Sequence, residues 1–100
     1  MYLVLYSKPG CHLCEGLQEK LEQIQSLAIE SLPIELEVRD ITTNPQWFAA
    51  YQYEIPVLHW GKENPVALPR LSPRVSVQKV EDMLRQAIAT SLPQPEPPDA

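Results

Sequence analysis

Cys11 and Cys14 are the chain's two cysteines, set in the stretch KPGCHLC at residues 8–14. Two thiols three residues apart can form a redox pair, supply half of a metal site, or sit inert in a core. Disulfide exchange makes the most specific demands. The attacking sulfur must be a thiolate, and a helix N-terminus with its unpaired N–H groups stabilises that anion. A second thiol one helical turn later can reach back and resolve the mixed disulfide. Cys11 fits the attacking role and Cys14 the resolving one. Lys8 adds positive charge nearby. His12, between the cysteines, either favours the thiolate when protonated or simply faces solvent. Zinc is less favoured, because a closed site takes four ligands and only His12 and His59 remain as soft donors. His59 itself reads as a structural residue on a strand.

The elements that must hold this pair follow from hydrophobic periodicity. Tyr2 to Tyr6 is a short run of strand formers ending at the turn Ser7-Lys8-Pro9-Gly10. Leu13, Leu17, Leu21, Ile24 and Ala28 then recur at helical spacing, which predicts an amphipathic helix from about Cys11 to Leu27. In IELEVRD, Ile34, Leu36 and Val38 alternate with Glu35, Glu37 and Arg39, the pattern of a half-buried strand near a sheet edge. The helix between these strands is long enough for a parallel crossover. Asn44 and the preceding threonines offer caps, with Pro45 early in a short helix carrying Trp47, Phe48 and Tyr51. IPVLHW and PVAL, joined by GKEN, predict a hairpin, and Val77, Val80, Leu84, Ala87 and Ile88 predict a last helix from about Ser76 to Thr90. The order β-α-β-α-β-β-α predicts an α/β domain over residues 1–90, a four-stranded mixed sheet flanked by three helices. The tail at 91–100 is proline-rich, and its composition predicts disorder. Pro56 opens the third strand, where either a cis bond or a trans strand opener fits. If Pro56 exposes the groups before it, the Ile55 N–H and C=O can pair with an extended substrate backbone.

Composition narrows the function classes. One hundred residues form one domain with a core of its own. A net charge of −5, with only a loose Arg70, Arg74 and Lys79 group of cations, argues against nucleic acid or an anionic membrane as partner. No apolar run is long enough to span a bilayer, and the N-terminus lacks the basic start and small-residue cleavage site of a signal peptide. The expectation is a cytoplasmic monomer, in a compartment where paired cysteines serve redox or metal chemistry.

On LYSKPGCHLC, VRDI, YEIPVL and the element order, the chain resembles glutaredoxin-like members of the thioredoxin superfamily over about residues 1–90. It is most similar to the short group with a C-x-L-C motif. The resemblance implies a thioredoxin-like fold and a thiol-disulfide oxidoreductase with Cys11 attacking and Cys14 resolving. It also implies a cis Pro56 beside the site, and a substrate or glutathione surface that includes Lys8, His12, Ile55 and Pro56. Implied partners are disulfide-containing proteins or small thiols, with glutathione as co-substrate or a thioredoxin reductase system as donor, and no bound cofactor. The chain departs from the typical pattern in two places. His12-Leu13 stands where glutaredoxins carry Pro-Tyr, and LPRLSPRVSV lacks the Gly-Gly and acidic residue that hold the γ-glutamyl end of glutathione. The alternative is a non-catalytic module of the same fold, holding a metal, an iron–sulfur cluster or a protein partner.

Overall fold

A computed structural model describes residues 1–28, 30–62, 65–72 and 74–91. Its elements are β1 (Tyr2–Ser7), α1 (His12–Leu27), β2 (Glu35–Asp40), α2 (Pro45–Tyr51), β3 (Val57–Trp60), β4 (Val66–Ala67) and α3 (Val77–Ser91). A single 3₁₀ turn, Ile41–Thr43, leads from β2 into α2. The sheet order is β2-β1-β3-β4, with β1 and β2 parallel and the other two pairings antiparallel. This is the β-α-β-α-β-β-α arrangement expected. Of the predicted GKEN turn, Glu63 and Asn64 lie outside the described residues, as does the predicted disordered tail beyond Ser91.

Strand β1 is central, and its alternation divides the core in two. Leu3 and Leu5, with Leu58 of β3, face Leu21 and Ile24 of α1, Ala28 at its C-cap, and Val80 and Leu84 of α3. Val4 and Tyr6 face the opposite way, against Ile41, Trp47 and Tyr51. A strand buried on both faces reads as a continuous apolar run, which is why residues 2–6 show no alternation. The last helix packs as its stripe predicts, with Val80 and Leu84 fully enclosed.

Two apolar positions depart from the expected pattern. Val38 was expected inside with Ile34 and Leu36, yet it is 43% exposed. It lies near the end of edge strand β2, where the sheet face is no longer covered. Leu13 was expected on the buried stripe of α1 and is 51% exposed. At 3.6 residues per turn, Leu13 is rotated about 100° from Cys14, and Cys14 takes the core-facing position.

The α2 face of the sheet holds a polar ladder. Glu37 accepts from both Tyr2 Oη and Arg39 Nε, and Arg39 Nη1 donates to Tyr6 Oη at 3.0 Å. The Arg39 guanidinium also lies 5.2 Å from the Trp47 ring centre. Hydrogen bonds from Arg39 first, then Tyr2, hold the Glu37 carboxyl below the usual carboxylate range. These contacts fasten α2 across β1 and β2, and so set the approach of the chain to Pro56.

Candidate active site

The turn that presents Cys11 depends on Gly10, whose φ of +82° is a left-handed backbone that side chains with a Cβ disfavour. The Cys11 N–H closes the turn on the Lys8 carbonyl at 3.2 Å. Cys11 then adopts an extended conformation, φ −86° and ψ 101°, as the cap residue of α1. Its Sγ accepts from the Cys14 N–H at 3.2 Å, and its carbonyl accepts from the Glu15 N–H at 3.0 Å. The sulfur thus occupies the place of an N-cap oxygen, where an anion receives a direct N–H donor and the positive end of the helix dipole.

Cys11 and Cys14 are joined as a disulfide, with their Cα atoms 5.3 Å apart. The two are not equivalent. Cys14 is 0% exposed, packed beneath the first turn of α1, whereas Cys11 is half-buried and reaches the surface. An incoming sulfur can therefore reach Cys11 and not Cys14.

Of the neighbours named from the sequence, Lys8 lies exposed in the turn and contributes its carbonyl to the Cys11 amide. His12 faces solvent, its side chain 93% exposed, with Nδ1 3.5 Å from Glu15 Oε2. Both partners of that contact are open to water, so the pair is worth little. His59 is on β3, edge-on to the rings of Tyr6 at 5.3 Å and Tyr51 at 5.7 Å. Its Nδ1 is buried without a hydrogen-bond partner. Burial, then the Arg39 charge, holds its pKa below the ordinary histidine value. Among the described residues, no cluster of three or more His, Cys, Asp and Glu side chains is placed to hold a metal ion.

The Ile55–Pro56 peptide is cis. The Ile55 N–H, however, is not open to a substrate: it donates to the Tyr51 carbonyl at 3.1 Å, and Glu54 N–H donates to the same oxygen at 2.8 Å. The end of α2 needs donors for its last carbonyls, and the chain supplies them locally before turning into β3. The expected main-chain pairing of a substrate with the Ile55 N–H is thereby corrected: that donor is already used within the chain.

Beside Pro56 runs a groove of about 420 Å³, which the motifs did not reveal. Leu13 and Leu17 of α1 form one wall, and Leu68, Leu71 and Val75 of the β4–α3 connection form another. The signal for it was present in LPRLSPRV, where apolar residues recur inside a proline-broken loop without helical or strand spacing. Arg70 stands at the edge and donates through Nη2 to the Glu54 carbonyl at 2.7 Å.

Comparison with known proteins agrees with this arrangement. The family model for the glutaredoxin-like domain (DUF836) matches residues 2–85. Thioredoxin 1 from the thermophilic eubacterium Thermosipho africanus TCF52B superposes with a TM-score of 0.60 at 18% identity, covering 91% of this chain and 98% of that one. A solved malarial protein gives 0.60 at 16% identity, over 85% and 93% of the two chains. The N-terminal domain of Synechococcus elongatus SasA gives 0.57 at 16% identity, over 93% and 87%. A comparison with curated proteins finds no match. At these identities the solved structures establish the thioredoxin-like α/β fold, and the family match carries the assignment: the chain belongs to the glutaredoxin-like (DUF836) domain family.

Proposed function

We propose that this protein is a thiol-disulfide oxidoreductase that cycles between the dithiol and disulfide forms of Cys11 and Cys14. One observation carries the reading: the asymmetry of a bridged pair whose first sulfur reaches the surface at a helix cap and whose second is wholly enclosed. In the reduced protein the Cys11 thiolate attacks a substrate disulfide. A Cys11–substrate bond forms as the substrate's own S–S bond breaks, and the departing sulfur takes a proton from solvent. Cys14 then gives up its proton and attacks Cys11 Sγ. The intramolecular disulfide closes and the second substrate thiol leaves. The substrate gains two electrons and two protons, and the protein loses them. A thiol reductant restores the dithiol by the reverse exchange, with glutathione and a thioredoxin reductase system as the candidate donors. The cycle calls for no resident cofactor, and a compartment that keeps thiols reduced, such as the cytoplasm, suits it.

The alternative, with both thiols of each chain holding a metal or cluster between two chains, requires two sulfurs that face outward. Cys14 does not, which favours exchange chemistry over shared ligation. Turnover is tested by following reduction of a protein disulfide by excess dithiol with and without catalytic amounts of this protein. Acceleration that disappears in Cys11→Ser is expected. A rate no greater than that of the dithiol alone contradicts an enzymatic role.

A further inference from the structure

Strand β2 ends the sheet on one side, and its main chain decides what that edge offers. The Glu35 N–H donates to the Met1 carbonyl at 2.8 Å. Alternate residues of a strand turn their main-chain groups to the same side, so Glu35, Glu37 and Arg39 serve the ladder with β1. Leu36, Val38 and Asp40 therefore turn their N–H and C=O groups to the open edge. Among the described residues, no other segment hydrogen-bonds to the main chain of Leu36 or Val38 on that side. Such an edge is a template for another strand. A proline or a bulge would blunt it, but ELEVRD has no proline and its register with β1 is unbroken from Glu35 to Asp40. Its charges are of both signs, so they select a partner.

The partner that ELEVRD complements is ELEVRD. In an antiparallel pair with its twofold axis at Val38, the two Val38 residues exchange both main-chain hydrogen bonds. The Asp40 N–H of each chain reaches the Leu36 carbonyl of the other, while the Asp40 carbonyl keeps the Thr43 hydroxyl it already accepts at 2.7 Å. Glu37 of each chain then stands opposite Arg39 of the other, in the non-hydrogen-bonded pairs where side chains come closest. These pairs meet on the α2 face. The two Val38 side chains meet on the α1 face, where Val38 is 43% exposed. Moving the axis to Glu37 sets Glu37 against Glu37 and leaves Asp40 outside the ladder, so charge fixes the register. Both charged groups are held ready. Glu37 accepts from Tyr2 and Arg39, and Arg39 uses Nε on Glu37 and Nη1 on Tyr6, which leaves donors on a group that carries five.

We propose that β2 pairs antiparallel with β2 of a second copy of this chain, in register about Val38, joining two four-stranded sheets into one. A strand of six residues on each side buries less than the roughly 1,000 Å² of a stable interface, so the dimer is weak and reversible, with a Kd on the order of 100 μM. The Glu37–Arg39 contacts across it weaken with salt. Strands β1 and β2 are parallel and Ser7 pairs with Asp40, so the turn to Cys11 leaves the sheet at the Asp40 end of β2. Antiparallel pairing sends the two cysteine pairs to opposite ends of the dimer. Association is therefore independent of the dithiol reading.

Sedimentation velocity of the full chain, kept reduced so that no disulfide forms between chains, tests this at concentrations from about 10 μM to about 1 mM. The wild type is expected to pass from monomer to dimer over that range. Glu37→Arg and Arg39→Glu, each alone, set like charges against each other in both pairs and are expected to weaken association about tenfold. An equimolar mixture of the two variants restores opposite charges in both pairs. It is expected to associate within about threefold of the wild type, a recovery that loss of folding in either variant cannot mimic. A wild type that stays monomeric throughout overturns the proposal. So does a dimer that neither substitution weakens, which would lie on another face, and so does a mixture that associates no more tightly than its components.

Discussion

Cys14 is sealed beneath the first turn of α1, while Cys11, its disulfide partner 5.3 Å away between Cα atoms, remains open to the surface. The Cys14 N–H points at the Cys11 sulfur from 3.2 Å. In the proposed cycle one residue therefore both stabilises the attacking sulfur through its backbone and resolves the product through its side chain. Single substitutions separate these two contributions. Cys11→Ser is expected to abolish exchange. Cys14→Ser keeps the backbone donor, so it is expected to accumulate mixed disulfides with substrate or to retain monothiol activity. Mass analysis of trapped adducts reads the difference, and equal residual activity in both variants would mean that the roles are misassigned.

The capping geometry also fixes a direction for the Cys11 acidity. A sulfur that accepts a helix N-terminal N–H ionises more readily than a free thiol, whose pKa is about 8.5. The rate of iodoacetamide alkylation of the reduced protein is expected to titrate below that value. A profile with its midpoint at or above the free value would show that the helix does not activate the thiol.

Acid sensitivity is expected in two windows with the same sign. His59 has a folded pKa below the ordinary histidine value of about 6.5 because burial, and then Arg39, disfavour its charged form. The unfolded chain binds that proton first, so stability falls as pH drops from about 6.5 through the folded value. Glu37 has a folded pKa below 4.5, owing chiefly to Arg39. Its contribution is present above the unfolded value and is lost as pH falls through the folded one, with a small magnitude because the group is partly exposed. Denaturant melts of the wild type and His59→Phe at a series of pH values check this. The variant is expected to lose the slope just below pH 6.5 and keep the lower one. Identical slopes in both proteins would contradict the assignment.

Two glycines near the site are expected to respond oppositely to alanine. Gly10 needs its φ of +82° to turn the chain into Cys11, so Gly10→Ala should cost about 1–2 kcal/mol. Gly16 is inside α1, and a Cβ there would meet nothing within 4 Å. Gly16→Ala should therefore add about 0.5–1 kcal/mol through helix propensity. Thermal unfolding of the two variants measures both, and a loss of stability in Gly16→Ala would reveal a packing role for the bare helix surface.

What could be read in the chain beforehand divides along physical lines. The Pro9-Gly10 turn, the position of Cys11 at a helix start and the Asn44 cap depend on neighbours within a few residues. Asn44 Oδ1 does accept from the Gln46 and Trp47 amides. Burial at the sheet margin depends instead on what covers it, and alternation in IELEVRD carries no information on that, so the exposure of Val38 is not legible in it. The fate of the Ile55 N–H depended on how α2 ends. The groove draws on α1, β3, the β4–α3 connection and Met83 of α3, segments far apart in sequence that only the closed fold brings together.

The central claim is that Cys11 and Cys14 form a reversible intramolecular redox couple. A redox titration of the purified chain, with alkylation and mass analysis of the free thiols at each potential, tests it most directly. The account predicts a single two-electron transition in which both thiols disappear together into one intramolecular disulfide. Two thiols that remain alkylatable at every biological potential would contradict it.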